Sequence, residues 1–372
     1  MEEQQHVKSK REPLIHITKR DVMPLWKAIL VRAAAVVIAL VVSSILVMIL
    51  TKRNPAQVLS AMFNGSFGTP RKALNMIQDV AMLLCISLAV TPAFRMKFWN
   101  IGAEGQVLMG ALASATLMYY LGGTGIPNAV LIPLMFVCSL IVGLIWAVIP
   151  AIFKAIWNTN ETLFTLMMNY VAMQIIQICI ASWATNGSGV MGVINNNNEL
   201  GWMPELFGQK YILNIIFVAL LTVFIFIYLK YSKHGYEISV VGESENTARY
   251  IGINVKKVII RTMAISGALC GFAGFLLVSG ASHTITKELA GGMGFTAIMV
   301  SWLAKFNPAI MVATSFLLVF LDKGASSIAM ECRLSESIGE IITGIIIFFI
   351  IGCEFFIRYK INFRSSGKEA VK

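Results

Sequence analysis

Long apolar runs alternate with short polar interruptions along this chain. Ala33 to Thr51 contains no charged side chain, and neither does Tyr211 to Leu229. Each run is near the length that a helix needs to cross about 30 Å of hydrocarbon. Inside lipid every backbone N–H and C=O must be satisfied within the segment, so such runs predict helices. A transmembrane barrel would instead show alternation over about ten residues, which these runs lack. The pattern places spans at 28–51, 74–94, 101–121, 127–152, 161–183, 211–230, 258–281, 291–305, 308–329 and 337–357. Of these, 291–305 is short and glycine-rich and reads as a broken or re-entrant helix. The expected fold class is all-α, a polytopic transmembrane helical bundle of about ten spans.

Composition agrees with the pattern. Hydrophobic residues make up 57% and charged residues 13% of the 372, against roughly 45–50% and about 25% in soluble domains. The first 27 residues are too polar and too long for the n-region of a signal peptide, so the first span reads as a retained anchor. The net charge of +11 could suggest a nucleic-acid partner, but its placement points to a membrane instead. With the N-terminus inside, 21 lysines and arginines fall on the cytoplasmic side and 8 on the outer side, with Arg32 inside the first span. The positive-inside rule predicts such an asymmetry, and with it an even number of crossings and two cytoplasmic termini.

The domain expectation is a cytoplasmic tail over 1–27, a transmembrane domain over 28–357 and a cytoplasmic tail over 358–372. The N-terminal tail reads as a solvated basic segment. The outer loop 184–210 is rich in Gly and Asn, and its Asn195–Asn198 run reads as a flexible tip. The cytoplasmic loop 230–257 is basic and carries a local helix signal. Ser244 can cap a short helix, Glu245 suits its positive first turn, and Gly252 supplies the left-handed stop before apolar Ile253. The six cysteines are scattered and the four histidines form no cluster, so neither a metal nor a cofactor is expected.

Polar side chains at membrane depth cost a few kcal/mol and tend to face a pathway or a partner, on the order of 2.5–3.5 kcal/mol for a charge. Three clusters qualify. The first is Phe98-Trp99-Asn100-Ile101-Gly102-Ala103-Glu104-Gly105-Gln106, whose glycines suggest an interrupted helix lining a cavity. The second is Asn158-Thr159-Asn160-Glu161, with Asn169 and Gln174 further along; five residues apart, these two lie about 140° from each other on a helix and need not share a cavity. The third is Ala290-Gly291-Gly292-Met293-Gly294-Phe295. Asn100, Glu104, Gln106, Asn160, Glu161, Asn169 and Phe295 are therefore candidate pathway residues, with helix–helix hydrogen bonding as the alternative role for each. No GxxxxGK[ST] loop, HExxH or GxSxG motif occurs, so neither ATP binding by a P-loop nor these forms of catalysis belong to this chain.

The ordered set of motifs resembles a known family. It runs from Phe98–Gln106 through Asn160-Glu161 and Leu166-Met167-Met168-Asn169-Tyr170-Val171-Ala172. It continues with Gly242-Glu243, Ala248-Arg249-Tyr250, Gly252-Ile253-Asn254, Ser266-Gly267-Ala268-Leu269, Gly271 and Ala273-Gly274, then Gly294-Phe295, Ile298 and Asn307-Pro308. The chain resembles the permease subunits of ATP-binding-cassette importers in the branched-chain amino acid, ribose and nucleoside permease superfamily. The likeness is nearest to bacterial nucleoside or simple-sugar permeases. That resemblance implies a bacterial cell-membrane protein that works with a separate ATPase subunit, a second permease subunit, identical or different, and a substrate-binding lipoprotein. It implies that Gly242–Gly252 is a coupling helix, with Gly242, Glu243, Ala248, Arg249, Tyr250 and Gly252 meeting the ATPase. It also implies transport of a small polar solute, a nucleoside first and a simple sugar next. The chain departs from the family where relatives often read Asn-Pro: here Ser244-Glu245-Asn246-Thr247 follows Glu243. Ser301-Trp302-Leu303-Ala304-Lys305 is likewise bulkier than the small-residue run expected there. The alternatives are a secondary transporter or channel, which would want paired intramembrane charges that the sequence does not display, and a membrane scaffold.

Overall fold

The computed structural model describes residues 15–19, 23–51, 55–184, 190–206 and 208–363. In chain order the elements are β1 (Ile15–Lys19), α1 (Leu25–Thr51), α2 (Pro55–Phe67), α3 (Pro70–Arg95), α4 (Ala103–Leu121), α5 (Asn128–Trp157), α6 (Glu161–Trp183) and α7 (Ile212–Tyr231). They continue with α8 (Lys233–Glu243), α9 (Glu245–Tyr250), α10 (Val255–Leu277) and its π-helical extension (Val278–Ser282), α11 (Met293–Leu303), α12 (Pro308–Glu331), α13 (Glu336–Arg358) and β2 (Tyr359–Phe363). The protein is an all-α polytopic bundle, and each of the ten expected spans has a helix. Among the described residues, 8 helices are long and apolar enough to cross a membrane. The other two are α4, whose first turns carry Glu104 and Gln106, and α11. At 11 residues α11 spans about 16 Å, half of the hydrocarbon core, so it is a half-helix.

The chain divides into a unit formed by residues 1–65 and 324–372 and a larger unit formed by 66–323. In the first, α1 packs on α13 and Arg32 pairs with Glu354 at 3.0 Å, while Arg358 reaches the same carboxylate at 3.3 Å. The span-borne arginine noted in the sequence thus has a partner 322 residues away. β1 pairs antiparallel with β2, Ile15 opposite Phe363 and Lys19 opposite Tyr359. Part of the segment expected as a solvated tail is therefore a strand.

In the larger unit α10 occupies the centre, and small residues let its neighbours approach backbone to backbone. A methyl group on Gly271 would strike the Ser139 carbonyl oxygen of α5, one on Gly267 the Gly143 carbonyl oxygen, and one on Gly274 the Val107 carbonyl oxygen of α4. Lipid offers no hydrophobic gain for helix association, so close van der Waals packing of this kind does the joining. Across α3 and α12, Asp79 and Lys323 form an ion pair at 2.5 Å. Paired charges at membrane depth are thus present after all, each a base neutralising an acid between two helices. Among the described residues no cluster of carboxylates of the kind an ion-binding site needs accompanies them.

The unit has two distinct ends. At one, the Met203 N–H donates to Ser279 O (2.9 Å), the Ser279 hydroxyl to Gly201 O (2.6 Å) and the Ile194 N–H to His283 O (2.8 Å). Asn195 is tied down there, donating to Met118 O (2.8 Å) and Leu200 O (3.0 Å), and Asn198 donates to Gly122 O (3.3 Å). The asparagine run is a docked corner and not a flexible tip. At the other end, Met96, Phe98, Ile238, Val241, Ala248 and Val255 share one buried cluster that seats α8 and α9.

Candidate functional site

Three stretches that lie far apart in the sequence meet at the start of α4. The Glu104 carboxylate accepts from the Gly292 N–H (2.9 Å) and the Gly294 N–H (2.8 Å), one oxygen to each. These are unpaired donors at the N-terminus of α11, where a negative charge is also favoured by the helix dipole. Gly292 has φ +73°, a conformation that a side chain rarely adopts, and it turns the chain so that both N–H groups point at one carboxylate. The Asn169 side chain accepts from the Gly105 N–H (2.8 Å) and donates to Ile101 O (2.9 Å), so α6 holds the break before α4. Asn100 and Gln106 exchange two side-chain hydrogen bonds (3.3 and 3.0 Å), and Asn100 also reaches the Ser266 hydroxyl of α10 at 3.5 Å. Glu104, Gln106, Asn100 and Asn169 are all buried, Glu104 to 2% exposure.

The remaining candidates lie outside this knot. Asn160 caps α6 by accepting from the Leu163 N–H (3.2 Å), and Glu161 pairs with Lys154 at 3.0 Å. Phe295 is exposed on α11, and Gln174 is exposed on α6 while Asn169 is buried, as their spacing implies. Two residues of the bulky stretch noted in the sequence, Ser301 and Trp302, complete the seat of α11. The Ser301 hydroxyl donates to Ser87 O (3.1 Å) and lies 3.3 Å from the Thr91 hydroxyl, and Trp302 stacks on Trp99 at 5.6 Å. The bulky stretch at 301–305 thus packs against α3 and the 96–102 turn.

The second candidate region is the loop between α7 and α10. Ser244 caps α9 by accepting from the Thr247 N–H (3.3 Å), as its position predicts. Gly252, at φ +82°, ends the helix, and the Ile253 N–H returns to Ala248 O at 2.9 Å. α9 is therefore rigid at both ends although only 6 residues long. Its faces differ sharply. Ala248 is buried, Tyr250 is 91% exposed, and Arg249 reaches Glu245 at 3.2 Å in an exposed pair. Gly242, at the end of α8, lies against the Arg95 carbonyl, where a methyl group would clash. Glu243 completes α8.

A further ion pair fastens this loop to α10. Arg261 donates to Glu237 of α8 at 2.6 Å. That hydrogen bond holds the Glu237 carboxyl below its usual range, with added attraction from Arg261, Lys233 and His234. A depressed folded-state value means stability that is present above the unfolded value of about 4.3 and is lost as pH falls through the folded one. Glu237→Gln is expected to raise amide exchange across Lys233–Glu243 at pH 7 and to remove the acid-dependent loosening of the wild type. Hydrogen-exchange mass spectrometry measures both, and wild-type protection in the variant would show that the pair does not fasten α8.

The arrangement contains a half-helix with a carboxyl group fastened at its start and an exposed loop helix capped at both ends, which suit a transport subunit. Residues 72–351 match the family described as the permease component of branched-chain amino acid transport systems. The chain belongs to that family. It is a multi-pass membrane transport component and not itself an enzyme. Among its relatives is a guanosine ABC transporter permease protein of Bacillus subtilis, 29% identical over 87% of this chain and 92% of the relative. A glucose ABC transporter permease protein of Haloferax volcanii is 25% identical over 96% of both chains. A nucleoside ABC transporter permease protein of Lactococcus lactis is 26% identical over 87% of this chain and 91% of the relative.

Proposed function

We propose that this chain is the membrane-spanning subunit of an ATP-driven importer in a bacterial cell membrane, carrying a small polar solute, with a nucleoside favoured over a simple sugar. The observation that carries the reading is α9, a helix capped at both ends whose buried Ala248 anchors it while Arg249 and Tyr250 project. A helix of this kind transmits a push from a docked partner into α7 and α10, which flank its loop. The partner that supplies the push is a separate ABC ATPase, because this chain has no phosphate-binding loop of the P-loop type. A second permease subunit, identical or different, and a substrate-binding lipoprotein complete the machine. The nucleoside preference rests on the guanosine and nucleoside permeases among the relatives, and the sugar alternative on the glucose permease.

Sidedness follows from two supports. The basic loop 230–257 carries the positive charge expected on the cytoplasmic face. The antiparallel pairing of β1 with β2 supports placing both chain ends on one face of the bilayer, read here as the cytoplasmic one. The loop 184–210 then lies on the outer face, where a loaded lipoprotein would dock. In this reading Asn100, Glu104, Gln106 and Asn169 form the polar seam beside which α11 shifts as the pathway opens.

Arg249→Glu tests the proposal in proteoliposomes containing the permease and its co-purified ATPase. The expected result is normal insertion with nucleoside uptake reduced at least about tenfold, because one reversed charge at a desolvated contact costs several kcal/mol. Undiminished uptake by the variant, or uptake driven by an ion gradient without any ATPase, would overturn it.

A further inference from the structure

At the end of the larger unit that carries the 184–210 loop, a cavity of about 760 Å³ opens between the first turns of α5 and α7 and the end of α10. Its size lies within the range of small-molecule sites, about 300–1,000 Å³. Several aromatic rings form part of its walls. Phe217 of α7 and Phe272 and Phe275 of α10 line it, with Phe272 meeting Phe217 edge-on at 6.2 Å. Trp202 and His283 line it too, stacked on each other at 3.9 Å and only 7° from parallel, so they form one flat plate. Burial, and secondarily the charge of Lys210, push His283 down to about 4. The plate is therefore neutral at physiological pH.

The polar groups in this cavity are incompletely used. Asn214, the lone amide in the apolar run of α7, is 1% exposed and lies against Gly280. Its Nδ2 makes a long bond to Leu276 O (3.4 Å), and among the described residues its Oδ1 has no donor. His283 Nδ1 likewise has no partner among the described residues. Leaving a buried acceptor unmade costs about 1–3 kcal/mol, and an acyl chain filling the cavity would leave it so. A flat, heteroaromatic ring with an N–H donor would stack on the plate and satisfy the amide at once.

We infer that this cavity is a binding site for the planar base of a nucleoside, received on the outer face before translocation, with Asn214 reading the base and the Trp202–His283 plate stacking on it. The inference rests on the nucleoside reading above and names a place for the base that the polar seam around Glu104 does not provide. Charged Glu199, Glu205 and Lys210 also line the cavity, which suits a base carrying a hydrophilic sugar better than a wholly apolar guest.

The test is equilibrium binding of radiolabelled guanosine to the full chain in phospholipid nanodiscs, with uridine and ribose as competitors. Saturable guanosine binding is expected, displaced by uridine and not by ribose. Asn214→Leu, which keeps the volume and removes the acceptor, is expected to weaken it about tenfold, the equivalent of about 1.4 kcal/mol. Trp202→Leu, in the loop and less demanding of the fold, is expected to weaken it as much, and Asn214→Asp to retain it. Absence of saturable binding, wild-type affinity in both leucine variants, displacement by ribose, or a tightly held phospholipid that guanosine does not displace would each overturn the inference. Nucleoside uptake by the assembled transporter separates the two readings. If uptake proceeds while any of those results holds, only the cavity assignment falls; if no nucleoside is taken up at all, the nucleoside reading itself fails.

Discussion

Replacing Gly271 with valine is expected to abolish stable assembly of the helical bundle. The added methyl groups would meet the Ser139 carbonyl oxygen, which belongs to a helix backbone and cannot rotate away. Relief requires that α10 and α5 separate, and the same separation would open the neighbouring contacts at Gly267 with Gly143 and at Gly274 with Val107. Overpacking costs about 1–3 kcal/mol where side chains can yield, and more where only backbone faces the intruder. The expected outcome is little monodisperse protein after detergent extraction, and a melting temperature well below wild type in what remains. Gly271→Ala should show the same direction at smaller size. Gly344→Ala is the control, because no described residue lies within 4 Å of its Cβ direction and alanine favours helix by up to about 1 kcal/mol. A Gly271→Val protein that melts like wild type would mean that α10 and α5 do not pack as described.

The second large effect is expected at Glu104. Glu104→Leu removes the acceptor of two N–H groups, a buried one at Gly294, worth about 1–3 kcal/mol when left unmade, and a half-buried one at Gly292. It also removes the negative charge from the N-terminus of α11. The expected result is a bundle that still inserts, since its long spans are intact, with strongly increased amide exchange over 288–300 and loss of uptake. Glu104→Gln keeps one acceptor oxygen and should fall between wild type and leucine. Exchange over 288–300 that is identical in all three proteins would show that the carboxylate does not hold the half-helix.

How much of this was legible beforehand differs from residue to residue. The long spans were, because lipid forces any 20-residue apolar run to satisfy its own backbone, and that demand does not depend on neighbours. The cap of α9 was legible for a similar reason: Ser244, Glu245 and Gly252 act within a few residues of themselves. The three polar clusters were each visible, but their convergence was not. Glu104 and Gly292 are 188 residues apart, and nothing local to either states that one completes the other. The partner of Arg32 was hidden in the same way, as was the anchoring of Asn195, whose composition alone suggested a free loop. Asn214 left a faint signal, a single amide in an otherwise apolar helix. Its meaning depends on Gly280, Trp202 and His283, which reach it only through folding.

The sequence by itself determined an all-α polytopic membrane protein of about ten apolar segments, with a short capped helix in a basic loop. Period, length, charge placement and capping are written within single segments and act through the solvent that surrounds them. The tertiary structure alone decided which helices meet, that Glu104 closes the start of a half-helix, and that an amide and a flat aromatic pair share one cavity. Those are contacts between segments tens to hundreds of residues apart, and their energies arise only when packing brings backbone and side chains within bonding distance.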